Sequence, residues 1–162
     1  MYCLSSTLKH CEPAVVRFSS LSGYSQLLLA LHDPSQTIRT KTCFLLSQLV
    51  SQSQSPFELS IELRKAGVLK GVLDGLDEDL HQPTESTGEG TKIDPDYRDK
   101  SLRFLVNVVE RTEGKGLEKE EKKMLGKVVK ELEEGEGWSA EEDLGMAKIE
   151  WEEFKKLSSL NK

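Results

Sequence analysis

The sequence predicts an all-α chain, a helical solenoid closed at one end by an acidic helical cap. Three observations predict it. A unit of short helix, glycine break, short helix and longer helix recurs at a period in the low forties. The longer helix, over residues 36–51, carries Ile38, Thr42, Leu45, Leu46, Leu49 and Val50 as an apolar stripe at helical spacing. Charge also shifts along the chain, from a slightly basic first half to a strongly acidic second half.

Residues 2–10 read as the end of a helix with Leu4 and Leu8 on one side. That helix begins abruptly at Met1, so either further repeats lie upstream or the chain starts inside a repeat. Residues 12–21 form a short helix with Pro13 in the tolerated first turn, and Ser22 and Gly23 break it. Residues 24–31 form a second short helix carrying Leu27, Leu28 and Leu31. Asp33, Pro34 and Ser35 end it, because the residue before a proline disfavours helical geometry. The long helix over 36–51 and a polar loop to Pro56 follow.

The pattern then returns. Residues 57–66 form a short helix, Gly67 breaks the chain, and 68–76 form another with Val68, Val72, Leu73 and Leu76. Gly23 and Gly67 stand 44 residues apart, and the same offset pairs Tyr24 with Val68, Leu28 with Val72 and Leu29 with Leu73. Residues 77–93 lack any apolar period and predict a flexible loop. Asp94 is placed to cap, and Pro95 to open, a long helix bearing Leu102, Phe104, Leu105, Val106, Val108 and Val109. Asn107 follows Gln48 by 59 residues, 15 more than 44, which the polar loop accounts for. Ser6 precedes Gln48 by 42, so the first residues are the third helix of an earlier unit.

Residues 117–134 form a charged helix, interrupted by Gly135, Gly137 and Trp138. Ser139 and Glu142 have capping-box spacing and start a last helix with Leu144, Ala147, Trp151, Phe154 and Leu157 on one face. The expected organisation is repeats over residues 1–112, with the polar loop at 77–94, and acidic helices over 113–162 acting as a terminal cap.

Composition narrows the function classes. The net charge of −6 argues against nucleic acid as the main partner. Residues 1–76 hold seven Lys/Arg against five Asp/Glu, a net of +2, and the remainder holds 15 against 23, a net of −8. The first half is therefore the place to look for a binding face. Cys3, Cys11 and Cys43 are odd in number and lack metal spacing, as expected of reduced thiols used as small apolar residues. No apolar run approaches a membrane span, and no leader or retention motif is evident, so a cytoplasmic protein without a membrane role is expected. His10, His32 and His81 have no local partner at catalytic spacing, and no phosphate loop, nucleophile elbow or metal-binding set is present. No enzyme activity, cofactor or metal site is expected.

A basic, polar helix face remains. Arg39, Lys41 and Gln48 lie off the apolar stripe, where third helices of a solenoid line a concave groove. Lys9 is expected near the same groove one unit earlier, and Ser6, Gln48 and Asn107 form a polar ladder along it. Such amides either bond a partner's backbone or tie the repeats together.

These residues resemble a known family. Y-C-L-S-S-T-L-K-H, V-V-R-F-S-S-L-S-G-Y-S-Q-L-L-L-A-L and I-R-T-K-T-C-F-L-L-S-Q-L-V resemble the later armadillo repeats of the nucleotide exchange factors of heat shock protein 70 chaperones, the Fes-type and Hsp-binding-protein-type factors. The resemblance is good to about Leu76 and moderate over 95–110. It implies an armadillo-like right-handed solenoid, acting as a monomer, whose concave face embraces one lobe of the chaperone's ATPase domain. Such binding opens the nucleotide cleft and releases ADP. On that resemblance Lys41, with Arg39 beside it, takes the basic position of the third helix, and Lys9 that of the preceding repeat. The family's N-terminal extension and first repeats have no counterpart here, Ser6 stands where Asn is expected, and the loop over 77–93 is long. The alternatives are an armadillo adaptor for an extended peptide and a truncated homologue without exchange activity. An adaptor should interleave groove Asn with Trp, whereas Trp138 and Trp151 both lie in the tail.

Overall fold

A computed structural model describes residues 2–81, 95–135 and 138–159, and the described residues form ten α-helices and no strand. They are α1 (Tyr2–Leu8), α2 (Glu12–Ser20), α3 (Gly23–Leu31), α4 (Gln36–Gln52), α5 (Pro56–Lys65), α6 (Val68–His81), α7 (Pro95–Arg111), α8 (Lys119–Glu134), α9 (Ala140–Leu144) and α10 (Lys148–Ser159). Pro13 and Pro56 sit in first turns, where their missing N–H costs no helical bond. In α5, Glu58 in the first turn and Arg64 and Lys65 in the last oppose the helix dipole favourably.

Like helices pack on like. The most extensive helix pairing is α4 with α7, and α3 lies on α6. Both α4 and α7 are 17 residues long and start and end 59 residues apart. The seven buried residues of α4, Thr42, Cys43, Leu45, Leu46, Ser47, Leu49 and Val50, map at that offset onto Ser101, Leu102, Phe104, Leu105, Val106, Val108 and Val109, all buried. Cys43 Sγ meets Ser101 Oγ across the seam at 3.2 Å, and burial pushes the Cys43 thiol up to about 12. Cys3 and Cys11 are exposed free thiols.

The two short helices correct the expected register by one residue. The left-handed residue before α3 is Ser22 (φ 58°), not Gly23, and its counterpart before α6 is Gly67 (φ 80°). Gly23 is needed for space instead, since a Cβ there would lie 2.5 Å from the Phe18 ring. The matching offset is therefore 45, which pairs buried Tyr24, Leu27 and Leu31 with buried Leu69, Val72 and Leu76. The expected loop also starts later than 77, because α6 runs on to His81, with Asp77 held by Lys127 Nζ of α8 at 2.8 Å. The rest of that loop and the Asp94 cap lie outside the described residues.

The acidic helices continue the same hydrophobic cluster, which runs from Leu8 to Phe154. α8 lies on α6, and α10 lies on α7 and α8. Arg64 pins the start of α8: Nε bonds Glu121 Oε2 at 3.0 Å, Nη1 pairs with Glu118 at 3.3 Å, and Nη2 donates to the Gly116 carbonyl. The single last helix expected from Ser139 onward is two. Gly145 (φ 61°) ends α9, and Ala147 is an exposed cap whose N–H bonds Glu150 Oε2 at 2.8 Å. At Ser139 the side chain does accept from Glu142 N at 3.1 Å. The reciprocal acceptor is Asp143, not Glu142, at 2.9 Å from Ser139 N. Trp151 stacks on Phe154 at 5.0 Å and packs against Trp138 at 5.2 Å, and its Nε1 donates to Glu133 at 2.8 Å.

Candidate partner-binding groove

The α4–α7 pairing leaves a groove of about 410 Å³ on its solvent side. Phe44, Gln48 and Ser51 come from α4, Lys100, Arg103, Asn107 and Glu110 from α7, and Met146 and Glu150 close the far side. The 59-residue offset organises it, pairing Phe44 with Arg103, Gln48 with Asn107 and Ser51 with Glu110. Because residues three, four and seven apart share a helix face, Lys41 rides with Phe44 and Gln48, and its counterpart on α7 is Lys100.

Of the expected site residues, Gln48 and Asn107 come together in this groove. Asn107 Nδ2 donates to Ser47 Oγ at 2.7 Å and to Ser51 Oγ at 3.1 Å, so this amide ties the two helices. The same kind of tie recurs at the helix ends. Gln52 Nε2 donates to the Leu8 carbonyl at 2.9 Å, and Arg111, 59 residues later, donates from Nη2 to the Ser53 carbonyl at 2.6 Å. Lys41 is half-buried and does not itself line the groove; helical spacing sets it about one turn before Phe44 on α4.

Arg39 does not share the face of Lys41. Two residues along a helix is more than half a turn, and Arg39 points back towards the α3–α4 corner. Its Nη1 donates to the Asp33 carbonyl at 2.9 Å, and its guanidinium lies 5.6 Å from the centroid of the Tyr97 ring. Lys9 is exposed just beyond α1, whose end is bonded to Gln52 at the C-terminal end of α4. Along α4, residues 39 and 52 are about 20 Å apart at the helical rise, so Lys9 and Arg39 serve opposite ends of the row.

The groove is of mixed charge rather than basic. Asp99 Oδ2 contacts Lys100 Nζ at 2.5 Å and its Oδ1 contacts Arg103 Nε at 2.7 Å. Glu110 closes the far end, its carboxyl raised above the usual range by partial burial and by Glu150 and Glu153. Lys100, Arg103 and Phe44 are missing from the sequence-based set. The offset that aligned Gln48 with Asn107 also carries Lys41 onto Lys100, and that signal identifies the second cation.

No three His, Cys, Asp or Glu among the described residues gather as a metal site, and no described helix is long and apolar enough to cross a membrane. His32 Nδ1 lies 2.9 Å from the Leu28 carbonyl of its own helix. No family model matches the chain, and no solved structure matches it. Among curated proteins, the chain is 40% identical over 58 residues to the Hsp70 nucleotide exchange factor FES1 of Mycosarcoma maydis. The aligned stretch covers 36% of this chain and 15% of that relative's length, a similarity confined to part of each protein.

Proposed function

We propose that this chain binds the ATPase domain of heat shock protein 70 chaperones as a nucleotide exchange factor, presenting the α4–α7 groove to one lobe. The partial similarity to FES1 supports the partner class. The observation that carries the reading is the α4–α7 row itself: two equivalent helices at one constant offset, holding Lys41, Phe44 and Gln48 beside Lys100, Arg103 and Asn107. In this reading the helices form an armadillo-like right-handed solenoid, α8–α10 are its acidic cap, and the protein works as a cytoplasmic monomer. No bond is made or broken. The factor prefers the open, nucleotide-poor chaperone and shifts the population towards it, and by linkage bound nucleotide weakens its grip.

An adaptor for extended peptides is the weaker reading, because the Asn107 amide hydrogens are directed at Ser47 and Ser51 rather than at a partner backbone. The experiment has two arms. Capture of an isolated chaperone ATPase domain by the chain tests binding. Release of labelled ADP from that domain at saturating chain tests exchange. Capture without acceleration assigns a homologue that binds without exchanging, and absence of capture overturns the chaperone reading.

A further inference from the structure

A second groove, of about 640 Å³, opens between α2 and α5 and shares no lining residue with the α4–α7 groove. α2 buries none of its nine residues completely, and Ser19 Oγ bridges it to Glu62 Oε2 of α5 at 3.0 Å. The space between is floored by Val15, Tyr24, Leu49 and Leu59. Its wall is held in place: Gln52 donates to the Leu8 carbonyl at 2.9 Å and accepts from His10 N at 2.8 Å. Val16 stands at the rim, 63% exposed.

Charge is sorted sharply here. Residues 1–76 carry more cations than carboxylates, seven to five, yet three of the five carboxylates, Glu12, Glu58 and Glu62, line this groove and no Lys or Arg does. Burial, and then the negative charge of Glu62, push the Tyr24 phenol up to about 12, so the field of that carboxylate reaches the floor. A preformed groove with an apolar floor and walls edged by one sign of charge selects a partner with apolar anchors and the opposite sign.

We infer that the α2–α5 groove binds a cationic peptide segment, seating its apolar side chains on Val15, Tyr24, Leu49 and Leu59 and setting its Lys or Arg against Glu12, Glu58 and Glu62. The inference stands on this groove alone and does not depend on the chaperone reading.

The test is anisotropy of a fluorescein-labelled peptide of alternating Lys and Leu titrated with the full chain. Saturable binding is expected, weakening with added salt and about tenfold weaker in the Glu12→Gln/Glu58→Gln/Glu62→Gln variant. Val16→Arg, an exposed change that leaves the core untouched, should weaken it similarly, and decides the matter should the triple variant fail to fold. A peptide with Ser in place of Leu should bind at least tenfold more weakly, and Lys41→Glu should leave binding unchanged. Equal affinity in both groove variants would place the probe on the acidic helices and overturn the inference. Equal affinity for the Ser peptide would reduce it to charge alone and overturn it too. A free chain that sediments as a dimer, and becomes monomeric in the groove variants, would make the occupant a second copy instead.

Discussion

Asn107 Nδ2 of α7 lies 2.7 Å from Ser47 Oγ of α4, a half-buried bond between two mainly apolar helix faces that also meet at Cys43 and Ser101. The same nitrogen reaches Ser51 Oγ at 3.1 Å. The register of the α4–α7 row is thus fixed by an amide as well as by Leu and Val packing. Asn107→Ala leaves both hydroxyls without this donor and should cost about 1–2 kcal/mol. For a chain of this size that is a fall of roughly 2–8 °C in Tm. Thermal unfolding followed by circular dichroism measures it. An unchanged Tm would return Asn107 to the role of a partner-facing amide.

Lys41 and Arg39 should separate cleanly in mutagenesis. Lys41→Glu, on the face of Phe44 and Gln48, should lower capture of the chaperone ATPase domain at least tenfold with helicity unchanged. Arg39→Ala removes the bond to the Asp33 carbonyl and the cation over Tyr97. It should lower stability by about 1 kcal/mol and leave capture near wild type in the folded protein. The reverse pattern, binding lost with Arg39 and stability lost with Lys41, would put the groove on the wrong side of α4.

Much of this was legible in the sequence where burial repeats. The α4 stripe, and its return 59 residues later in α7, could be read because both helices bury the same positions. The short helices stand one residue off the offset that pairs the glycines, because Ser22 carries the left-handed turn before α3 while Gly23 makes room for Phe18. Periodicity also cannot tell a groove cation from one that closes a corner. Arg39 and Lys41 both lie off the apolar stripe, more than half a turn apart, and it takes the positions of Asp33 and Tyr97 to show that Arg39 is the one at the corner. Asp99, by contrast, pairs with its neighbour Lys100 and with Arg103 four residues on, a local spacing that the sequence of α7 itself carries.

Glu110 gives the groove a pH dependence of definite sign. Partial burial and the charges of Glu150 and Glu153 raise its carboxyl above the ordinary range. The folded protein therefore binds that proton more tightly than the unfolded chain does. Ionised Glu110 is a cost to stability at neutral pH, and the cost disappears as pH falls through the folded value and then the unfolded one. Glu110→Gln should raise Tm at pH 7 and bring no gain near pH 3, below the ordinary carboxylate range. A gain that persists at low pH would show that the charge is not its origin.

The two turns that precede α3 and α6 have the same left-handed geometry but different residues, Ser22 at φ 58° and Gly67 at φ 80°. A side chain in that region costs about 1–2 kcal/mol, and a Cβ at Gly67 would also sit 3.3 Å from Leu28 Cδ2. Gly67→Ala should therefore destabilise by roughly that amount, a drop of about 2–8 °C in Tm. At Ser22 the strain is already present. Ser22→Gly relieves it while making the unfolded chain looser, by about 0.5–1 kcal/mol, so the net change should be small and stabilising. Gly23→Ala separates the two roles of glycine, since it should destabilise through the Phe18 ring with no demand on backbone conformation. Removing that ring in a Phe18→Leu background should recover part of the loss at residue 23 and none of the loss at residue 67.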